Sequence, residues 1–106
     1  MNNSNILISL ATYKEAENII NLIDKIRVNY PKTKILIIND FSKDNTRELI
    51  QKKGDKNLIY IERPKKLGLG TAHKLSIFYS IKYNFDYLIT LDADFSHDPV
   101  YIPDLL

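Results

Sequence analysis

The run Lys34-Ile35-Leu36-Ile37-Ile38-Asn39-Asp40 decides the fold. Ile35 to Ile38 are apolar without a break, and a strand lacking polar alternation is one covered on both faces. Strands of that kind belong to parallel sheets flanked by helices. The polar pair Asn39-Asp40 closes the run where the chain leaves the sheet.

The segments on either side follow the same plan. Upstream, Ile6 to Leu10 is a short apolar run bounded by polar residues and reads as the first strand. Glu15 to Tyr30 carries Ile19, Leu22, Ile23, Ile26 and Tyr30 on one helical stripe, and Pro31 stops it. Downstream, Asp44 to Lys53 reads as a shorter helix that ends at Gly54. Asn57 to Ile61 is the third strand and Arg63 to Gly70 a basic, glycine-containing loop. Thr71 to Tyr83 is a helix with Ala72, Leu75, Phe78 and Tyr79 on its expected buried side. Asp86 to Leu91 is the fourth strand, and Pro99 opens a last helix over Pro99 to Leu106. The order βαβαβαβα predicts an α/β fold: a parallel sheet, helices on both faces and right-handed crossovers.

Such sheets bind ligands at the carboxyl ends of their strands, near the point where strand order reverses. The polar clusters fall at those ends. Thr12-Tyr13-Lys14-Glu15 follows the first strand, Asn39-Asp40 the second, and Asp92-Ala93-Asp94 the fourth. Asp92 and Asp94 deliver two carboxylates together, hard oxygen ligands suited to Mg²⁺ or Mn²⁺ shared with a substrate's phosphates. The flank Phe95-Ser96-His97-Asp98-Pro99 turns the chain at once. An Asp-x-Asp alone occurs in many turns; the second acidic strand end at Asp40 gives it weight.

Composition narrows the classes. The 106 residues suffice for one domain. Fifteen basic against 13 acidic residues imply no global field for nucleic acid. The absence of cysteine excludes disulfides and thiolate metal sites. No apolar stretch approaches the roughly 20 residues of a membrane span, and the polar start Met1-Asn2-Asn3-Ser4-Asn5 lacks the pattern of a signal peptide. The expected location is cytoplasmic, with peripheral contact at the cytosolic face of a membrane as a variant of it.

Four stretches carry a family resemblance: Thr12-Tyr13-Lys14-Glu15-Ala16-Glu17-Asn18, Ile38-Asn39-Asp40-Phe41-Ser42-Lys43-Asp44-Asn45-Thr46, Arg63-Pro64-Lys65-Lys66-Leu67-Gly68-Leu69-Gly70-Thr71-Ala72, and Asp92-Ala93-Asp94-Phe95-Ser96-His97-Asp98-Pro99. They resemble family 2 glycosyltransferases of the GT-A fold, and within them the dolichyl- or polyprenyl-phosphate mannosyltransferases. The resemblance runs from about Ile6 to Leu106. It implies inverting, metal-assisted transfer of mannose from GDP-mannose to dolichyl or polyprenyl phosphate. The nucleotide sugar is implied to meet Ala11, Tyr13, Glu15, Ile38, Asp40, Asp92, Ala93 and Asp94; Asp92 and Asp94 are the implied catalytic and metal-binding pair, with Asp94 the direct ligand of Mg²⁺ or Mn²⁺. Three positions depart from the family pattern: Ala11 stands for the usual Pro, Lys14 for Asn and Asn39 for Asp. The family's catalytic domain also continues well past its Asp-x-Asp segment. Residues 1–106 therefore read as the N-terminal, nucleotide-sugar-binding part of a GT-A domain, with a C-terminal complementing half as a candidate partner.

Plainer readings stand beside these. Thr12-x-x-Glu15 matches a helix capping box. Asp40 can be a turn residue, Asp44 a helix N-cap, and His97 a structural residue in a turn. Arg63, Lys65 and Lys66 read as a solvated loop, with phosphate binding the rival role. Gly68 and Gly70 lack a following Lys-Ser/Thr, so they form no P-loop and permit a tight turn instead. Other functions compatible with the chain are a UDP-sugar donor, a saccharide acceptor, or nucleotide binding without catalysis. A signalling receiver domain ranks low, because the acids here follow strands two and four. A dinucleotide fold ranks lower still, because no G-x-G-x-x-G follows the first strand. A sheet with uncovered edges is also expected to expose apolar surface.

Overall fold

The computed structural model describes residues 5–13, 16–40 and 45–92. In chain order these form β1 (Ile6–Thr12), α1 (Ala16–Asn29), β2 (Lys34–Asp40), α2 (Thr46–Lys52), β3 (Leu58–Arg63), α3 (Leu69–Lys82) and β4 (Tyr87–Asp92). The helix expected over Pro99 to Leu106 lies outside the described residues.

All three strand pairings are parallel, in the order β3-β2-β1-β4. The chain steps outward from β1 to β3, then returns past β1 to lay β4 on its other side. The reversal of order therefore lies between β1 and β4. Strand alternation sorts the core into two layers. Ile8, Leu10, Ile35, Ile37, Ile89 and Leu91 meet α1 through Ile19, Leu22, Ile23 and Ile26, and α2 through Ile50. Leu7, Leu36 and Ile38 face the opposite way, onto Ala72, Leu75 and Tyr79 of α3.

Two helix ends show why the chain turns where it does. After α2, Gly54 adopts φ +60° and donates to the Gln51 carbonyl at 3.1 Å, the left-handed stop that glycine supplies without a steric cost. After α3, Asn84 takes that role at φ +60°: its N–H reaches Ile81 at 3.2 Å, and that of Phe85 reaches Ser80 at 2.9 Å. This is a Schellman motif, and Phe85 completes it by stacking on Tyr79, with ring centroids 6.4 Å apart.

Three expectations are corrected. Phe78 is not on the buried side of α3; it is exposed, and Ser76 and Ser80 lie inside in its place. Ser76 meets Ser9 of β1 at 2.5 Å and bonds back to the Ala72 carbonyl, so a hydroxyl pair fills the helix–sheet seam. Thr12 does not cap α1: it is the last residue of β1, and its buried Oγ1 makes no hydrogen bond. The N-cap position of α2 is held by Asn45, which makes no side-chain cap bond. Asp44 itself lies outside the described residues.

Candidate functional site

The carboxyl edge of the sheet gathers the described candidates. Register places Ala11 of β1 opposite Ile38 of β2 on one side and Asp92 of β4 on the other. With strands about 4.8 Å apart, this row spans about 10 Å, the scale of a nucleotide diphosphate. Asp92 thus ends β4 at the reversal of strand order, where α/β sheets take their ligands. Tyr13 follows one residue beyond the end of β1, and the Lys66 ammonium lies 4.8 Å from its ring centroid. Glu15, Lys14, Ala93, Asp94 and His97 lie outside the described residues.

Asp40 is the most constrained of the candidates. It is buried, and register sets it directly opposite Arg63 on β3. Arg63 Nε donates to Asp40 Oδ1 at 2.5 Å, while Oδ2 accepts the amides of Leu67 at 2.9 Å and Gly68 at 3.0 Å. The remaining guanidinium groups of Arg63 reach Thr71 Oγ1 at 2.8 Å and the Gly68 carbonyl at 3.0 Å. Burial pushes the Asp40 carboxyl up, but the Arg63 bond, the two loop amides and the Arg63 charge outweigh it and hold the carboxyl below its ordinary 3.8. Gly68 adopts φ +91° at the head of α3, a backbone only glycine takes readily.

Arg63 is the residue that the sequence reading misplaced. It is no solvated loop cation but a buried bracket between the end of β2, the loop after β3 and the start of α3. Lys65 and Lys66 do remain exposed. The signal that identifies Arg63 is its rung opposite Asp40, which becomes visible only once the strands are aligned.

On the other face of β2, Asn39 is buried. In the amide orientation that satisfies both ends, Nδ2 donates to the Asp40 and Thr12 carbonyls at 3.2 Å each, and Oδ1 accepts from the Tyr60 hydroxyl at 2.9 Å. An aspartate there would set carboxylate against two carbonyls, so a neutral amide suits this strand end. Tyr60 Oη also lies 2.9 Å from Glu62 Oε1. Burial, the first cause, and the charge of the neighbouring Glu62 carboxylate push the Tyr60 phenol up to about 12.

Carboxylates are the donors that suit a hard divalent cation, and in the sequence Asp92 and Asp94 offer two of them close together. Among the described residues no group of three or more His, Cys, Asp or Glu converges on one point. Among them, too, no helix is long and apolar enough to cross a membrane.

A four-stranded parallel sheet whose strand order reverses between β1 and β4 defines an α/β domain with its candidate site at the carboxyl edge. The family model for glycosyl transferase family 2 matches residues 8–106, and the chain belongs to that family. It is 29% identical over 103 residues to the undecaprenyl-phosphate mannosyltransferase of Micrococcus luteus, covering 95% of this chain and 42% of that protein. It is 29% identical to the polyprenol monophosphomannose synthase of Mycolicibacterium smegmatis, covering 94% of this chain and 39% of that one. Against the poly-beta-1,6-N-acetyl-D-glucosamine synthase of Staphylococcus aureus the identity is 34%, over 85% of this chain and 25% of that protein. Among solved structures, the fold matches a mannosyltransferase from Pyrobaculum calidifontis in complex with GDP-Man and Mn²⁺, with a TM-score of 0.71 and 22% identity, covering 85% of this chain and 27% of that one. The fold is therefore GT-A, as the sequence implies. The chain spans less than half the length of each of these relatives.

Proposed function

We propose that residues 1–106 form the nucleotide-sugar-binding part of an inverting mannosyltransferase that uses GDP-mannose and a polyprenyl phosphate acceptor. The row Ile38–Ala11–Asp92 at the strand reversal carries this reading. The two polyprenyl-type relatives, and the GDP-Man complex of the structural neighbour, supply the substrate class.

The residues divide the work. Tyr13 offers a ring face to the base or ribose, and Ala11, Ile38 and Glu15 line the nucleotide beside it. Asp40 is held ionised by Arg63 and accepts three hydrogen bonds within the protein. Arg63 Nη2 also lies 2.5 Å from Oδ1, which fills the carboxylate's acceptor positions, so Asp40 serves the nucleotide by fixing the Leu67 and Gly68 amides at the edge. Asp92 and Ala93 flank the ribose and sugar, and Asp92 and Asp94 would hold Mg²⁺ or Mn²⁺. Such a cation, when bound, would supply charge neutralisation of the departing diphosphate. In the transfer, the bond between the anomeric carbon and the diphosphate oxygen breaks while a bond to the acceptor's phosphate oxygen forms on the opposite face. That acceptor is already an anion at neutral pH, so the chain need not supply a strong general base.

Titration calorimetry with GDP, with and without Mn²⁺, tests the reading. GDP binding strengthened by Mn²⁺ is expected, and Asp94→Ala abolishes the strengthening; equal affinity in parent and variant overturns the assignment. A second reading draws on the Staphylococcus relative: a UDP-sugar donor with a saccharide acceptor. Preference for UDP over GDP in the same titration selects it. Metal-dependent binding without turnover selects a non-catalytic nucleotide module, and a C-terminal complementing half is then the partner that restores transfer.

A further inference from the structure

The outer face of α3 is unusual for a helix on a parallel sheet. Its inner face carries Ala72, Ser76 and Ser80, all buried. Its outer face places Lys74, Ile77, Phe78, Ile81 and Lys82 at helical spacing, with Ile77 51%, Phe78 61% and Ile81 71% exposed. Among the described residues, every exposed large hydrophobic except Val28 falls between Leu67 and Tyr87. The charge of the same stretch is one-sided: from Arg63 to Phe85 the cations are Arg63, Lys65, Lys66, Lys74 and Lys82, and there is no acid. Arg63 is spent inside on Asp40, which leaves four lysines at the surface. The Lys82 ammonium lies 6.0 Å from the Phe78 ring centroid and 5.6 Å from that of Tyr83, so the aromatic and basic groups form one surface.

We propose that this face of α3 docks on an anionic lipid bilayer. Apolar and aromatic side chains interleaved with lysines match the interfacial zone, where rings lie at headgroup level and ammonium groups meet lipid phosphates. A second copy of the chain, packed face to face, would oppose lysine with lysine. A negatively charged, apolar-backed surface satisfies both features at once. α3 runs about 21 Å from the carboxyl edge, where Gly68 caps it, to the opposite edge at Asn84. Lys65, Lys66 and Leu67 lie in the loop between β3 and α3, at the carboxyl edge. This deepens the reading above by giving the lipid-linked acceptor a surface from which to arrive.

Co-sedimentation of the 106-residue chain with vesicles tests the inference. Vesicles of phosphatidylcholine alone are compared with vesicles of phosphatidylcholine plus phosphatidylglycerol, neither containing a polyprenyl phosphate. Binding to the anionic vesicles, weakened by salt, is expected. Lys74→Gln and Lys82→Gln each weaken it roughly fivefold, and Phe78→Ser about tenfold. Val28→Ser, on α1 in the opposite layer, leaves it unchanged. Thermal melts of the same variants confirm that each remains folded. No binding to anionic vesicles, equal binding to both compositions, or Phe78→Ser binding like the parent overturns the proposal. So does a dimer in light scattering that Phe78→Ser dissociates, which assigns the face to a second copy. GDP titration without vesicles is read separately, so loss of vesicle binding with GDP binding intact removes this inference alone.

Discussion

Asp40 and Arg63 occupy facing positions on adjacent strands, and that one rung turns an apparent loop cation into a buried one. Arg63 →Asp40 is a hydrogen-bonded ion pair whose other lone pairs and N–H groups are also taken, the condition under which a buried pair is tolerated. Arg63→Met removes the cation and leaves the carboxylate inside without it. The expected cost is about 3–5 kcal/mol in urea unfolding. Arg63→Lys recovers only part, because one ammonium cannot reach Asp40, Thr71 and the Gly68 carbonyl with the geometry of a planar fork. Tyr60 gives a second, independent reading at this scale. Its phenol is raised from the ordinary 10 to about 12 in the folded chain, so its stabilising contribution is complete below pH 10 and lost as pH rises through about 12. In absorbance titration one tyrosine is therefore expected to ionise near pH 12, and Tyr60→Phe removes that step. Neither residue was legible from the sequence alone. Asp40 was visible as an acidic strand end, but Arg63, beside Lys65 and Lys66, looks like any solvated basic turn.

The elements were legible where side-chain pattern and backbone pairing agree, and misjudged where they part. The apolar centres of all four strands stand where the sequence puts them. All four nevertheless run further toward their carboxyl ends: β1 to Thr12, β2 to Asp40, β3 to Arg63 and β4, by one residue, to Asp92. Polar side chains there imitate a loop, yet the backbone stays paired, because Asn39 and Asp40 find partners within the sheet edge. Those extra residues lie at the carboxyl edge that carries the candidate site, so the difference falls where a parallel sheet takes its ligands. In α3 the apolar residues surround the helix, and periodicity cannot choose which side faces in; the Ser9–Ser76 contact fixes the choice. The end of α3 carries a test of local geometry. Asn84 holds φ +60°, where a Cβ is disfavoured and Asn is tolerated better than most residues. Asn84→Ala is expected to destabilise the chain by about 1 kcal/mol, while Asn84→Gly is neutral or mildly stabilising. Thermal melts distinguish them, since 1 kcal/mol moves the midpoint by about 4 °C or more in a domain of this size.

At the scale of the molecule, the order β3-β2-β1-β4 converts a linear series of polar strand ends into one edge. The alternation of elements foretold a parallel sheet, but neighbours and register belong to long-range pairing that no local pattern encodes. Two acids tie distant parts of the chain, Asp40 at the carboxyl edge of the sheet and Asp55 at the amino edge, before β3 begins. Asp40 joins β2 to the loop before α3, and Asp55 joins the α2–β3 turn to Arg27 of α1 at 2.7 Å. Burial pushes the Asp55 carboxyl up, but the Arg27 bond, the Asn57 amide and the charges of Arg27 and Lys53 bring it below 3.8, as their counterparts do for Asp40. Both groups therefore hold fewer protons folded than unfolded over the acid range. Their contribution is present above the unfolded value of 3.8 and drains away as pH falls through the lower folded values. Urea midpoints are expected to drop steeply from pH 4 downward. Because both pairs are largely sheltered from solvent, salt should blunt this less than it would for the more exposed Arg47–Glu62 pair. The double variant Asp40→Asn/Asp55→Asn is less stable at neutral pH, and its stability changes less between neutral and acid than that of the parent. A parent-like acid slope in that variant would assign the acid sensitivity to other carboxylates and detach it from these two ties.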